Sequence, residues 1–226
     1  MKLTTCTKDV LNQFSKMNGF FEFKAGTRQR MLNSAKTVLV EAELDQRIPC
    51  DFGPIHLKGV TTILKSLDSP EISFQEDRLV FSEGCSELVV EKFELDEFVA
   101  PKQIDFPENG MRLHMSKEIV EKVIKLKRSL GHSWLEIVGD GEAAYLRTTN
   151  RWRDENDHSL TMRLCSTSRV FSLAMRLDEL SLVKDDFTLH LSNRQLIKMC
   201  PNTFNLTYFV ALETADYYDA VSCDEP

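Results

Sequence analysis

Recognisable chemistry is what this sequence lacks. No GxxxxGK[ST] phosphate loop, GxGxxG fingerprint, HExxH helix or GxSxG elbow occurs in its 226 residues, which removes the common signatures of nucleotide, zinc-protease and hydrolase sites. Cysteines are few. Cys6, Cys50, Cys85, Cys165, Cys200 and Cys223 stand singly with no CxxC pair, so neither a zinc site nor a disulfide framework is expected. His56, His114, His132, His158 and His190 lie far apart, and nothing in their spacing signals a ligand set. Glycine and proline, at 9 and 7 residues, are too scarce for a collagen-like or low-complexity chain. No apolar run approaches the roughly 20 residues of a membrane span. The opening MKLTTCTKDVLNQF has no apolar core of the kind a signal peptide needs. Together these absences lead to the expectation of a cytoplasmic, non-enzymatic protein with no cofactor and no metal.

What is there is an ordinary globular composition, 42% hydrophobic and 28% charged, with a net charge of −7. Acidity of that size argues against a nucleic-acid partner unless the charge is segregated. It is segregated. Ser116–Gly131 carries Lys117, Lys122, Lys125, Lys127 and Arg128 against Glu118 and Glu121, a net +3 that leaves −10 for the rest of the chain.

The chain length suits two cores of about 100 residues each. In the first half, Val10, Leu11, Phe14 and Met17 predict a short amphipathic helix with Thr7 as N-cap and Asn18-Gly19 as its stop. Residues 27–32 and 36–44 predict a hairpin, and Leu57, Val60, Ile63, Leu64 and Leu67 a second helix over 57–67. Strands are expected at 71–74, 79–81 and 87–93. The stretch ELDEFVAPKQIDFPENG has two prolines and no consistent periodicity, as a connector should. The expected division is therefore 1–94, a connector at 95–109, and 110–226.

The second half repeats the order of elements. A strand at 111–115 leads to a helix at 117–130, capped by Ser116 and stopped by Gly131. Residues 134–138 and 143–149 flank Gly139-Asp140-Gly141, a hairpin signal. Strands near 158–165, 169–174, 187–192, 194–200 and 203–212 and a short helix near 176–183 follow. The expected fold class is α+β, built as two similar domains.

A helical wheel sets the candidate site. On the helix at 117–130 the apolar residues fill one arc, while Lys117, Glu121, Lys125 and Arg128 lie opposite, with Lys122 also basic. The first helix places Lys8, Asn12 and Lys16 opposite its apolar stripe, and the second places Lys58, Thr61, Thr62 and Lys65 there. One such face is simply solvated surface. Three on an acidic chain can repel a polyanion elsewhere and attract it at one surface. The helix near 176–183 departs from the pattern, since Asp178 and Glu179 offset Arg176 and Lys184. Arg151-Trp152-Arg153 could stack on a base, but in a loop ending in acids an ordinary exposed turn accounts for it.

Taken in order, LVEAELDQRIPCDFGPIHL (39–57), PEISF…LVFSEG…ELVV (70–90), VAPKQIDFP (99–107) and YFVALETADYYDA (208–220) make the chain resemble the DNA polymerase sliding clamps of T-even-type bacteriophages. That resemblance implies the DNA-clamp fold, with two domains of antiparallel sheets bearing helices on the inner face. It also implies a homotrimer closed as a six-domain ring in the cytoplasm of an infected bacterium. Lys8, Lys16, Lys58, Lys65, Lys117, Lys122, Lys125 and Arg128 would then face duplex DNA without reading its sequence. Val89 and Met162 would lie at the subunit interface. A pocket of Leu44, Phe98, Val99, Pro101, Tyr217 and Tyr218 would take the polymerase's C-terminal tail. A clamp loader is an implied partner, and phage late-transcription factors are a further candidate. Three other readings stay open: a monomeric or dimeric processivity factor of the same fold, a protein-interaction adaptor that never touches DNA, and an enzyme whose site carries no recognised signature.

Overall fold

The computed structural model describes residues 1–94, 101–107, 110–150, 159–180, 182–183, 185–192, 195–202 and 205–212, with backbone alone for Leu126 and Arg128. The chain forms two compact units, Met1–Gln103 and Ile104–Pro226.

The first unit runs α1 (Thr5–Phe14), β1 (Phe20–Phe23), β2 (Gly26–Leu32), β3 (Val38–Ile48), β4 (Phe52–His56), α2 (Leu57–Ser66), β5 (Glu71–Phe74), β6 (Arg78–Glu83) and β7 (Ser86–Glu91). The first helix begins three residues earlier than its stripe suggested. Thr4 is the N-cap, its Oγ1 accepting from the Thr7 amide at 3.1 Å. Thr7, expected as the cap, is buried, and its hydroxyl and that of Thr4 both donate to Asp45 on β3, at 3.0 and 2.6 Å. Val10, Leu11 and Phe14 supply the buried stripe.

Strands β1 and β4 form an antiparallel ribbon that periodicity did not reveal. Its tight approach depends on Gly53. The backbone there has φ +140°, and a Cβ would stand 2.8 Å from Glu22 Cα and 2.9 Å from Phe21 O. Edge-to-face ring contacts run from Phe14 to Phe21 (5.4 Å), Phe21 to Phe23 (4.9 Å) and Phe23 to Phe74 (5.6 Å). They tie α1, the ribbon and β5 into one core, in the arrangement aromatic quadrupoles favour.

The expected hairpin is β2 with β3, closed by Asn33, whose Oδ1 accepts from the amides of Thr37 and Val38. The three remaining strands form an antiparallel sheet in the order β5-β6-β7. That leaves β7 at its edge.

The second unit contains β8 (Arg112–Met115), α3 (Lys117–Leu130), β9 (Trp134–Asp140), β10 (Ala143–Thr149), β11 (Thr161–Ser166), β12 (Val170–Arg176), α4 (Leu177–Leu180), β13 (Phe187–Leu191), β14 (Leu196–Pro201) and β15 (Leu206–Ala211). Helix α3 has the expected bounds. Ser116 Oγ accepts from the Ile119 amide, and Gly131 ends the helix at φ 68°, a left-handed conformation that costs glycine little. One antiparallel sheet has the order β11-β10-β9-β12, so β11 is an edge. Strands β8, β13, β14 and β15 pair antiparallel in the order β15-β14-β13-β8. The last helix is four residues long where 176–183 was expected, and its Glu179 is buried.

Candidate nucleic-acid interface

In the first unit α1 and α2 lie side by side and bring their lysines together. Lys65 Nζ donates to Asn12 Oδ1 at 2.9 Å, bridging the two helices. Lys8 Nζ reaches the Asp68 carbonyl just beyond α2 at 3.4 Å. Lys16 follows the C-cap Ser15, is exposed, and donates to Gln13 Oε1 at 3.1 Å. Lys58, Thr62 and Lys65 are exposed on α2.

Thr61 does not join them. It is buried at 5% exposure, and its hydroxyl donates to the Lys58 carbonyl. A threonine that satisfies its own hydroxyl within the helix can present its methyl to the core, so a wheel that counts it as polar puts it on the wrong side.

In the second unit Lys117, Lys122 and Lys125 are exposed on α3. Lys117 lies 3.9 Å from Glu121 one turn on, an exposed pair of the kind worth little. Among the described residues Lys122 and Lys125 carry no ion pair. Lys127 is half-buried and paired with Asp178 of α4. The two acids of α4 are therefore not an outward acidic face, since one is buried and the other is paired with α3. The Arg128 side chain, and the Arg151-Trp152-Arg153 loop, lie outside the described residues.

Both sheets end in exposed edges. Leu88 and Val89 of β7 are 39% and 45% exposed. Met162 and Leu164 of β11 are half-buried and alternate with exposed neighbours. A groove of about 910 Å³ opens between α2 and β7, with Ile63, Val90 and Phe93 among its apolar lining and Lys58 and Lys92 among its cations.

Of the pocket residues, Phe98, Val99, Tyr217 and Tyr218 lie outside the described residues. Pro101 is half-buried. Leu44 is only 4% exposed on β3 and has little surface of its own to offer a ligand. Sequence reasoning passed over Phe106, which packs against Phe209 at 6.2 Å with Lys198 Nζ 5.8 Å from its ring. The signal was the pair Ile104 and Phe106 in a segment read as lacking periodicity.

No protein-family model matches the sequence. The chain is similar to the sliding clamp of Vibrio phage KVP40, 23% identical over 221 residues, which covers 94% of this chain and 99% of that one. Among solved structures, the proliferating cellular nuclear antigen of Entamoeba histolytica superposes with a TM-score of 0.67 at 16% identity, covering 92% of this chain and 95% of that one. The A. fulgidus nuclear antigen bound to the C-terminal region of FEN-1 gives 0.68 at 12% identity, covering 93% and 96%. The β subunit of DNA polymerase III from Thermotoga maritima gives 0.67 at 16% identity, covering 96% of this chain and 65% of that one.

The fold is thus that of the DNA clamps, antiparallel sheets with a few short helices. Along nearly its full length the chain is similar to a bacteriophage sliding clamp, and it shares the clamp fold with the solved structures.

Proposed function

We propose that three copies of this chain close into a ring around duplex DNA and tether a replicative DNA polymerase for processive synthesis, with no chemistry of their own. The observation that carries the reading is the placement of Lys8, Lys16, Lys58, Lys65, Lys117, Lys122 and Lys125 on or beside helices of a chain whose net charge is −7. Arg128 joins the set from its place in α3. Lysines on flexible stems contact phosphates as point charges and not base edges, so no register on the duplex is preferred and the ring can slide.

In this reading residues 1–94 and 110–226 are the two clamp domains of each copy, and 95–109 joins them. The exposed strand β7, with Val89, and the exposed strand β11, with Met162, would join neighbouring copies. Two different edges on one chain make a head-to-tail contact, which must close into a ring or grow without limit. The polymerase's C-terminal tail would dock at Leu44, Phe98, Val99, Pro101, Tyr217 and Tyr218. A clamp loader would open the ring in the cytoplasm of the infected host, and late-transcription factors would share its outer surface. Among the described residues no helix is long and apolar enough to cross a membrane.

Charge reversal tests the central claim. Lys117→Glu, Lys125→Glu and Arg128→Glu together are expected to depress processive synthesis on primed DNA while native mass and melting temperature stay near wild type. A triple variant as processive as wild type at moderate salt would show that α3 does not face DNA.

A further inference from the structure

The two open edges carry complementary patterns. Cross-strand partners share a face of a sheet, so the partners of β7 in β6 sort its side chains. Leu88 and Val90 stand opposite Phe81 and Leu79, both buried, and belong to the core face. Glu87, Val89 and Glu91 stand opposite Ser82, Val80 and Arg78 on the other face, where Val80 is buried and Ser82 and Arg78 are exposed. On β11, Met162 is paired with buried Leu146 on the core face, while Thr161 and Arg163 are paired with Arg147 and Tyr145 on the other; Leu164 is the extra residue of a bulge in this ladder and, like Met162, is half-buried between exposed neighbours. Each edge therefore has an apolar row towards the core. The opposite row reads acid, valine, acid on β7 and is centred on a cation on β11.

Among the described residues, Glu87, Glu91 and Arg163 have no ion-pair partner. Arg78, across the ladder from Glu91, is turned to Asp77 at 3.1 Å. Arg163 donates only a neutral hydrogen bond, to Ser166 Oγ at 3.1 Å.

Resting on the ring reading, we infer that β11 of one copy adds antiparallel to β7 of the next with Arg163 seated over Val89, between Glu87 and Glu91. This register sets Leu88 against Leu164 and Val90 against Met162. A shift of two residues loses one of those apolar pairs, and a shift of one turns every apolar side chain to the charged face. Antiparallel addition continues the pattern of every strand pair in both sheets. The arginine stem covers Val89 while its guanidinium reaches the flanking carboxylates. Arg147, one strand further in on the same face, is opposite Thr161 and so lies two strands from Glu91 of the neighbouring copy.

The occupant of each edge is thus a second copy of this chain, and the joint is an exposed ionic clasp over a narrow apolar seam. Such a joint weakens as salt rises. It can be parted and remade without unfolding either copy, which suits a ring that must open to admit DNA.

The test measures assembly by sedimentation and native mass across concentration, with wild type as the reference. Arg163→Glu places three like charges together, and it is expected to raise the concentration for half-assembly about 10-fold or more, with melting of the isolated chain unchanged. Adding Glu87→Arg and Glu91→Arg to that variant is expected to restore assembly, which a merely structural defect would not allow. Polarity is read by disulfide cross-linking with diamide as oxidant. With the exposed Cys6, Cys50, Cys85 and Cys165 replaced by serine, Glu91→Cys with Thr161→Cys is expected to give covalent oligomers above the background of the single-substitution controls, and Glu87→Cys with Thr161→Cys is not. A wild type that never exceeds monomer mass would overturn the ring itself. A trimeric wild type whose Arg163→Glu variant assembles equally well, or a reversed cross-linking pattern, would overturn the clasp while leaving the ring standing.

Discussion

Val89→Glu probes the joint through its apolar part. Val89 is 45% exposed in the single chain, so roughly half of its side chain remains to be covered by a neighbour. Covering that half contributes about 1 kcal/mol, taking about 2 kcal/mol for burying a whole valine. A glutamate would forfeit this and would place a third carboxylate between Glu87 and Glu91, more negative charge than the single cation of Arg163 balances. Partial desolvation and like-charge repulsion add about 1–3 kcal/mol. The total, about 2–4 kcal/mol per joint, corresponds to a dissociation constant weaker by roughly 30-fold to 1,000-fold. The substituted position is exposed in the free chain, so the monomer should fold normally. Native mass spectrometry over a concentration series is the assay. The expected result is a monomer at concentrations where wild type is a trimer, with matching circular dichroism and melting. A Val89→Glu protein that assembles at the wild-type midpoint would refute the placement of β7 at the joint.

Phe98→Ala combined with Tyr217→Ala is expected to weaken binding of the polymerase's C-terminal peptide in calorimetry while the trimer persists; unchanged affinity would move the docking site elsewhere. Gly53→Ala forces a Cβ to 2.8 Å from the Glu22 backbone at φ +140°, so it should destabilise the first unit by about 2 kcal/mol or more, seen as a lower urea midpoint. Asp45 accepts hydrogen bonds from Thr4 and Thr7, which hold its carboxyl below the ordinary aspartate range, the Thr4 bond being the larger cause. Its contribution is present above the unfolded aspartate pKa and is lost as pH falls through the lowered folded value. Asp45→Asn should therefore cost melting temperature at pH 7 and progressively less towards pH 3; a cost that does not change with pH would contradict this role.

Local signals located α3 well, because its cap, stripe and stop all lie inside the helix and its first neighbours. Where a distant partner decides, the sequence was mute. Thr4 and Thr7 are equally good caps in isolation, and it is Asp45 on β3, with the burial of Thr7, that settles the choice. The β1–β4 ribbon was missed for a similar reason. Asn18-Gly19 read only as the stop of the first helix, whereas the pairing of Phe21 with Ile55 needs the close approach that Gly53 allows. The exposed lysines of the candidate site were legible, since long cationic side chains rarely belong anywhere else. Thr61 was not, its polarity being spent within its own helix. The strands β7 and β11 were also expected, but that both would be edges depends on which strands pair, and no local pattern carries that.

The cations of the first unit are sorted by the kind of atom that holds them. Lys24, Arg28, Arg30 and Arg78, on or beside the strands, rest on carboxylates. Lys8, Lys16 and Lys65, on or just beyond the helices, are hydrogen-bonded to a backbone carbonyl and two side-chain amides. A carboxylate both orients a cation and cancels it; an amide oxygen orients it and leaves its charge whole. The cations held by carboxylates are consequently nearly silent at a distance, while Lys8 and Lys65 keep their charge on ammonium groups whose positions are already set. A polyanion approaching Lys8 and Lys65 meets, among the described residues, no carboxylate paired with either, and the ions released on contact come from its own atmosphere.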